Sequence, residues 1–347
     1  MSIHSRFILC FILLFQCTSD KNVCYVSFSD FNVVFFAEGG ICVKIGNSEF
    51  CGKGQVPISR DQFEGSMTYE ILGEEKKICD GYFNIPKENM KIAIIGDTSY
   101  KTGYLPLLVR EIQKFSPDIV FHVGDFQYDT HMDKWNRLFE YFRPIFSTSV
   151  FQLVAGNHEY DSKKDIETFK RFFPYEGEFF FEWNGIIFWG INTFKPGWYE
   201  DFLKASEKIE SYKGPLIIFI HKPFVSLSRW NKIGTMNEAI FQKVYNRVSV
   251  VFSGHDHVYG RVRITFPDKV FENIISGGGG AYIYGCPDER SKKLSIGERE
   301  FKADVLKCVA DFNTVLCELK NRSLDCKAVS PTRGVLDVFS IDLSGSK

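Results

Sequence analysis

At 347 residues the chain is long enough to bury a large core, with room for one sizeable domain and a small companion. Its 44% hydrophobic and 24% charged content is ordinary for a globular protein and excludes disorder or a coiled coil for the bulk of it. The 42 basic and 43 acidic residues leave a formal net charge of −1 with no basic block, which excludes a nucleic-acid footprint.

In chain order, His4 and Arg6 precede the apolar run Phe7–Phe15, and the small-residue stretch Cys17-Thr18-Ser19 follows. This is the layout of a secretory signal peptide over residues 1–19, too short to cross about 30 Å of hydrocarbon. The expected mature protein is therefore secreted or held within the secretory or lysosome-like pathway, without a membrane anchor. Of ten cysteines, Cys10 and Cys17 leave with the leader. Four of the rest lie early (Cys24, Cys42, Cys51, Cys79) and four late (Cys286, Cys308, Cys317, Cys326), which reads as a disulfide framework of open pairing. Asn321-Arg322-Ser323 is a usable glycosylation sequon.

Residues 20–88 alternate short β-type runs (Tyr25–Phe28, Asn32–Phe36, Ile41–Ile45, Thr68–Leu72) with Gly, Asn and Pro, predicting a small all-β module. The rhythm then changes over residues 89–347. Lys91–Ile95, Asp118–Val123, Phe151–Val154, Leu216–Ile220 and Val248–Phe252 are short apolar strands, and periodic stretches such as Leu105–Phe115 and Trp135–Phe142 predict helices between them. Strands alternating with helices imply a buried parallel or mixed sheet, and short strands return from Val262 onward.

Each of the five apolar strands closes on a small or flexible element and a potential metal ligand: Gly96-Asp97, Gly124-Asp125, Gly156-Asn157-His158-Glu159, His221 and Gly254-His255-Asp256-His257. Functional groups of α/β proteins collect at the carboxyl ends of strands, so one sheet edge is expected to gather these side chains into one cleft. Singly, a Gly-Asp is a turn and a lone histidine a core residue. Together they hold four of the seven histidines, too many coincidences for separate structural causes. Carboxylate, amide oxygen and imidazole without thiolate suit Fe, Zn or Mn, and six such ligands suit two ions sharing a carboxylate, the arrangement that hydrolyses phosphate esters. Tyr128, three residues past Asp125, adds a phenol, which ionises at acid pH only beside a strongly Lewis-acidic ion such as Fe(III).

With these motifs in this order, the sequence resembles the purple acid phosphatases of the calcineurin-like metallophosphoesterase superfamily over Lys91–Leu343. Trp135-Asn136-Arg137, the Gly277–Gly280 run and the continuation Val258-Tyr259-Gly260-Arg261 add to the likeness. The resemblance implies an α/β fold, a four-layer α/β/β/α metallophosphoesterase sandwich, with a fibronectin-III-like N-terminal module. It implies that Asp97, Tyr128 and His257 hold Fe(III), that Asn157, His221 and His255 hold a second divalent ion (Zn, Mn or Fe), and that Asp125 bridges them. His158 would protonate the leaving oxygen of a small phosphate ester or phosphoprotein attacked by a metal-bound hydroxide, with Glu159 or Asp161 orienting it. An imidazolium donor and a trivalent ion both favour an acid optimum.

The sequence departs from the pattern in places. Ser99 stands where two-metal phosphoesterases often carry a ligating histidine and purple acid phosphatases a glycine. The histidine expected several residues past His221 is missing from Phe224–Asn231, where Trp230 stands, leaving His158 as the acid. Tyr259 and Arg261 fit either substrate contact or ordinary packing. A diester- or nucleotide-directed enzyme, a catalytically silent metal-binding protein and a redox role are the competing readings.

Overall fold

The computed structural model describes residues 23–29, 32–63, 65–73, 76–129, 131–228 and 235–344, so the expected leader and Trp230 lie outside the described residues. Five strands come first: β1 (Tyr25–Ser29), β2 (Asn32–Ile45), β3 (Ser48–Ser59), β4 (Gly65–Leu72) and β5 (Lys77–Ile85). An alternating stretch follows: β6 (Met90–Ile95), α1 (Leu105–Phe115), β7 (Ile119–His122), α2 (Met132–Phe146), β8 (Val150–Leu153) and α3 (Lys163–Phe172). It continues with β9 (Phe179–Trp183), β10 (Ile186–Gly190), α4 (Trp198–Glu210), β11 (Leu216–Phe219), α5 (Thr235–Val244) and β12 (Val248–Ser253). The last seven strands are β13 (Tyr259–Thr265), β14 (Val270–Ser276), β15 (Ser291–Ile296), β16 (Arg299–Val309), β17 (Thr314–Lys320), β18 (Ser323–Ser330) and β19 (Gly334–Asp342).

These strands form two sheets. The first runs β19-β18-β17-β6-β7-β8-β1-β2-β4-β5 with β3 on β2, and the second runs β15-β16-β13-β14-β12-β11-β10-β9. The five ligand-bearing strands therefore do not share one sheet edge, as the sequence suggested. β6, β7 and β8 are parallel neighbours in the first sheet, and β11 and β12 are parallel neighbours in the second. Period-2 patterning shows which faces are dry but not which sheet a strand joins.

Residues 25–85 are all-β as expected, and β1 pairs parallel with β8 (Val26 opposite Val150), so their strands continue the first sheet. Ile92, Ile94, Phe121 and Val123 of the first sheet meet Ile217, Phe219, Val250 and Phe252 of the second in an apolar core between the sheets. Leu108, Ile112, Phe142 and Phe169 from α1, α2 and α3 cover the outer face of the first sheet. Phe202, Ile209, Ile240 and Phe241 from α4 and α5 cover the second, completing the α/β/β/α sandwich.

α1 follows its sequence signals: Pro106 in the first turn, an apolar face of Leu105, Leu108, Val109 and Ile112, and Ser116 in the left-handed conformation at its end. α2 is longer than Trp135–Phe142, because its apolar face continues past Pro144 through Ile145 and Phe146. The eight cysteines pair within their own halves: Cys24–Cys79, Cys42–Cys51, Cys286–Cys308 and Cys317–Cys326. No helix among the described residues is long and apolar enough to cross a membrane.

Phe121 is central to the inter-sheet core, its ring centroid 4.0 Å from that of Phe219 and 5.4 Å from that of Phe179. Phe121→Ala is expected to cost about 3–5 kcal/mol, read by urea denaturation. A loss under about 1 kcal/mol would show that the two sheets do not pack around that ring.

Candidate metal centre

The ends of β6, β7, β8, β11 and β12 open at one end of the sandwich. Asp97, Asp125 and His255 have φ of 56°, 52° and 66°, a left-handed conformation that is uncommon outside glycine and clusters at functional sites. Backbone contacts hold it: Asp97 N donates to Gly124 O at 2.9 Å, Thr98 N to Asp125 O at 3.0 Å, and Ala281 N to Asp97 O at 3.1 Å. His255 N donates to Asp97 Oδ2 at 2.8 Å, tying the second sheet's ligand loop to the first sheet's. Gly156 is required by close approach, since a Cβ there would collide with the Asp125 carboxylate.

Two clusters of donor atoms result. Tyr128 Oη lies 3.3 Å from Asp97 Oδ1 and 3.1 Å from His257 Nε2, and these two are 3.3 Å apart. In the second, His221 Nε2 lies 3.3 Å from Asp125 Oδ2 and from Asn157 Oδ1. His255 Nδ1 lies 3.1 Å from Asn157 Oδ1 and 3.3 Å from His221 Nε2. Ligand atoms about 2.1 Å from one ion are separated by about 3.0–3.4 Å along the edges of a coordination polyhedron, so these spacings suit bound cations. All seven expected ligands are thus brought together. His221 Nδ1 donates to Val123 O at 2.9 Å and His257 Nδ1 to Tyr282 O at 2.7 Å, which leaves each Nε2 lone pair facing its cluster.

Protons alone satisfy the site poorly. Burial pushes Asp97 up, and burial with the neighbouring Asp97 and Asp125 charges pushes Tyr128 well above its ordinary value. Burial opposes charge on Asp125 and His221, but their mutual attraction prevails, holding Asp125 low and lifting His221 to about 9. Burial and the His221 charge press His255 down to about 3. Cations would stabilise the anionic oxygens and neutral imidazoles together, and the all-O/N donor set fits Fe, Zn or Mn.

Glu159 departs from its expected role. Rather than orienting His158, its buried carboxylate accepts Asp125 N at 3.0 Å, Phe126 N at 2.7 Å, Gln127 N at 3.2 Å and Gly156 N at 2.6 Å, stapling two ligand loops together. Asp161 meets His158 instead, Oδ2 to Nδ1 at 2.9 Å. His158 N donates to Asp125 Oδ1 at 2.9 Å, and its half-exposed ring lies 4.3 Å from that of Tyr128. Asp256 was not singled out by sequence; it accepts from Ser226 and Ser228 in the segment that lacks the expected histidine. Its position between two ligand histidines was the available signal. Ser99 does not join the clusters, its Oγ accepting Lys101 N at 3.2 Å. Tyr259 and Arg261 both bond Asp337 of β19, at 2.8 and 2.9 Å, and serve packing.

Residues 90–259 match the family of calcineurin-like phosphoesterases. Purple acid phosphatase 22 of Arabidopsis thaliana is 26% identical over 204 residues, 52% of this chain and 47% of that protein, so the chain spans about half the length of this curated relative. A purple acid phosphatase from yellow lupin seeds superposes with a TM-score of 0.70 at 15% identity, covering 92% of this chain and 74% of that one. PhoD superposes at 0.65 with 10% identity, covering 91% and 88%.

Glu159→Gln places an amide NH₂ against backbone N–H donors and is expected to weaken metal retention about 10–100-fold. Elemental analysis after dialysis checks this, and full metal content would remove the staple's role. Metal removal gives a second test. Metal-free His221, raised above its ordinary 6.5, keeps its proton until pH passes about 9. Its pairing with Asp125 therefore stabilises metal-free protein fully below 6.5, and that contribution is lost as pH rises through about 9. Metal uptake at pH 7 should release protons, seen as a buffer-dependent calorimetric enthalpy; no release would contradict the assigned charge state.

Proposed function

This chain carries a calcineurin-like metallophosphoesterase domain, and we propose that it is a secreted acid phosphatase that hydrolyses phosphate monoesters. In this reading Asp97, Tyr128 and His257 would hold Fe(III), Asn157, His221 and His255 would hold Zn, Mn or Fe as a divalent ion, and Asp125 would be shared between them. When bound, the ions supply Lewis-acid charge for the phosphate oxygens and acidify a water for attack on phosphorus. The observation that carries the reading is the Tyr128 phenol oxygen in contact with both Asp97 and His257. A trivalent ion is what makes a phenolate affordable at acid pH.

The chain's own groups do the rest. His158, held by its backbone bond to Asp125 and its ring contact with Asp161, stands half-exposed with its Nε2 3.9 Å from Asp125 Oδ2, and in this reading it would protonate the departing alkoxide. Glu159 and the left-handed backbones keep the donors placed, so little reorganisation accompanies reaction. Four disulfides suit an oxidising, extracytoplasmic compartment, and Asn321 stands exposed in the turn between β17 and β18, accessible to a glycan. The substrate is a small phosphate ester or a phosphoprotein.

His158→Ala is expected to lower kcat about 10²–10⁴-fold with metal content intact, and loss of both metals would refute its assignment as proton donor. The oxidised protein should be purple from tyrosinate-to-iron charge transfer, and Tyr128→Phe should abolish the colour. A colourless protein with zinc in both sites would overturn the iron assignment. Preferential hydrolysis of a phosphodiester over an aryl phosphate monoester would overturn the substrate class.

A further inference from the structure

The segment that follows the glycine run lies along His257. Its start is fixed on the first sheet, where Ala281 N donates to Asp97 O at 3.1 Å and Gly280 forms a β-bridge with Thr98. It then turns to the second sheet's histidine. Tyr282 O accepts His257 Nδ1 at 2.7 Å, and Tyr284 N donates to His257 O at 3.0 Å. The Tyr284 ring lies on the imidazole, with centroids 4.2 Å apart and planes within 12° of parallel. Cys286 then joins Cys308 of β16, which stands opposite Gly260, three residues past His257. The segment is thus anchored on both sides of the histidine it contacts.

This support differs from that of His221. His221 is fully buried, so close packing and its bond to Val123 O hold the ring. At His257 the bond from Nδ1 to Tyr282 O sets the tautomer, but one hydrogen bond leaves a ring able to roll about the N–H···O direction. Such a roll would swing Nε2 away from Asp97 Oδ1 and Tyr128 Oη, which lie 3.3 and 3.1 Å from it. A parallel ring on the imidazole face opposes that motion. Tyr284 is 43% exposed, so burial in a core does not account for where it stands. Metal binding at Nε2 would also draw electron density from the imidazole, and the negative face of a phenol ring favours an electron-poor partner. The stack therefore favours the metal-loaded state over the metal-free one.

We propose that Tyr284 is a positioning residue for His257, its ring stack holding Nε2 on the Asp97–Tyr128 cluster and so raising the affinity of that metal position alone. The proposal rests on the metal-centre reading of the two clusters and not on the choice of phosphate ester.

The test titrates the full chain, stripped of metal, with Zn(II) by calorimetry. The proteins compared are wild type, Tyr284→Ala, Tyr284→Phe, His257→Ala and the double variant His257→Ala/Tyr284→Ala. Tyr284→Ala is expected to weaken one of two zinc-binding events about tenfold and to leave the other unchanged, with the thermal midpoint of the metal-free chain also unchanged. Tyr284→Phe keeps the ring and should restore wild-type affinity. In the His257→Ala background, Tyr284→Ala should have no further effect on zinc binding, because the histidine through which it acts is gone. Weakening of both events, or no recovery in Tyr284→Phe, would assign the ring to general packing and overturn the proposal. An unchanged titration for Tyr284→Ala, beside a wild type that takes up two zinc ions, would also overturn it while the metal centre stands. A wild type that takes up no zinc would overturn both.

Discussion

The buried carboxylate of Glu159 is the constraint from which the geometry of the site follows. Four backbone N–H groups, from two loops that leave different strands, converge on its two oxygens. No single loop could hold a left-handed aspartate, a phenol three residues later and an amide from the next strand at 3 Å spacings unaided. Burial and the neighbouring Asp125 charge push Glu159 up to about 8, and at roughly 0.5–1.5 kcal/mol net each its hydrogen bonds together are comparable to the backbone strain of about 1–3 kcal/mol of a left-handed residue. The staple acts on amides rather than on ligand side chains, so the side chains remain free to face cations.

The same economy appears in the electrostatics. Asp97, Asp125 and Tyr128 are buried close together, and the charge most available to relieve them is a proton on His221 or His257. A proton can relieve one pair only by occupying the nitrogen that faces the cluster. Divalent and trivalent ions relieve all of them while leaving the imidazoles neutral, with Nδ1 of His221 and His257 already committed to backbone carbonyls. Folding thus assembles a site whose buried anions are expensive until cations enter, which couples metal affinity to the integrity of the fold.

Much of this was legible because strand-end chemistry is local. Gly-Asp, Gly-Asn-His and His-x-His after apolar runs are written within four residues each, and Asp97, Asp125, Asn157, His255 and His257 could be named from them as candidate ligands. The role of Glu159 was not legible, because a buried acid that accepts backbone N–H groups has no sequence signature distinct from a helix-start glutamate. The division of the five strands between two sheets was hidden for a similar reason. Fully buried strands such as Leu216–Phe219 and Val150–Leu153 read as uniform apolar runs, and nothing in them records which neighbour completes the ladder. The cysteine pairs Cys42–Cys51 and Cys317–Cys326 face each other across antiparallel strands, a register that spacing alone does not reveal.

That division also explains the glycine run. Asp97, Asp125, Tyr128 and Asn157 are carried by the first sheet, and His221, His255 and His257 by the second, so neither cluster exists unless the sheets are locked in register at this end. The segment after β14 does the locking. Ser276 Oγ donates to Ile94 O, Gly279 N to Gly96 O, and Ala281 N to Asp97 O, so a strand end of the second sheet is sewn to the ligand loop of the first. The last two bonds require backbone to lie on backbone. A Cβ at Gly277 would strike Asp256 O, and one at Gly279 would strike Gly96 O, which are the backbones of the two loops carrying His257 and Asp97. The run is therefore a seam rather than a ligand loop. Its lack of side chains lets His257 from one sheet meet the Tyr128 phenol and the Asp97 carboxylate from the other.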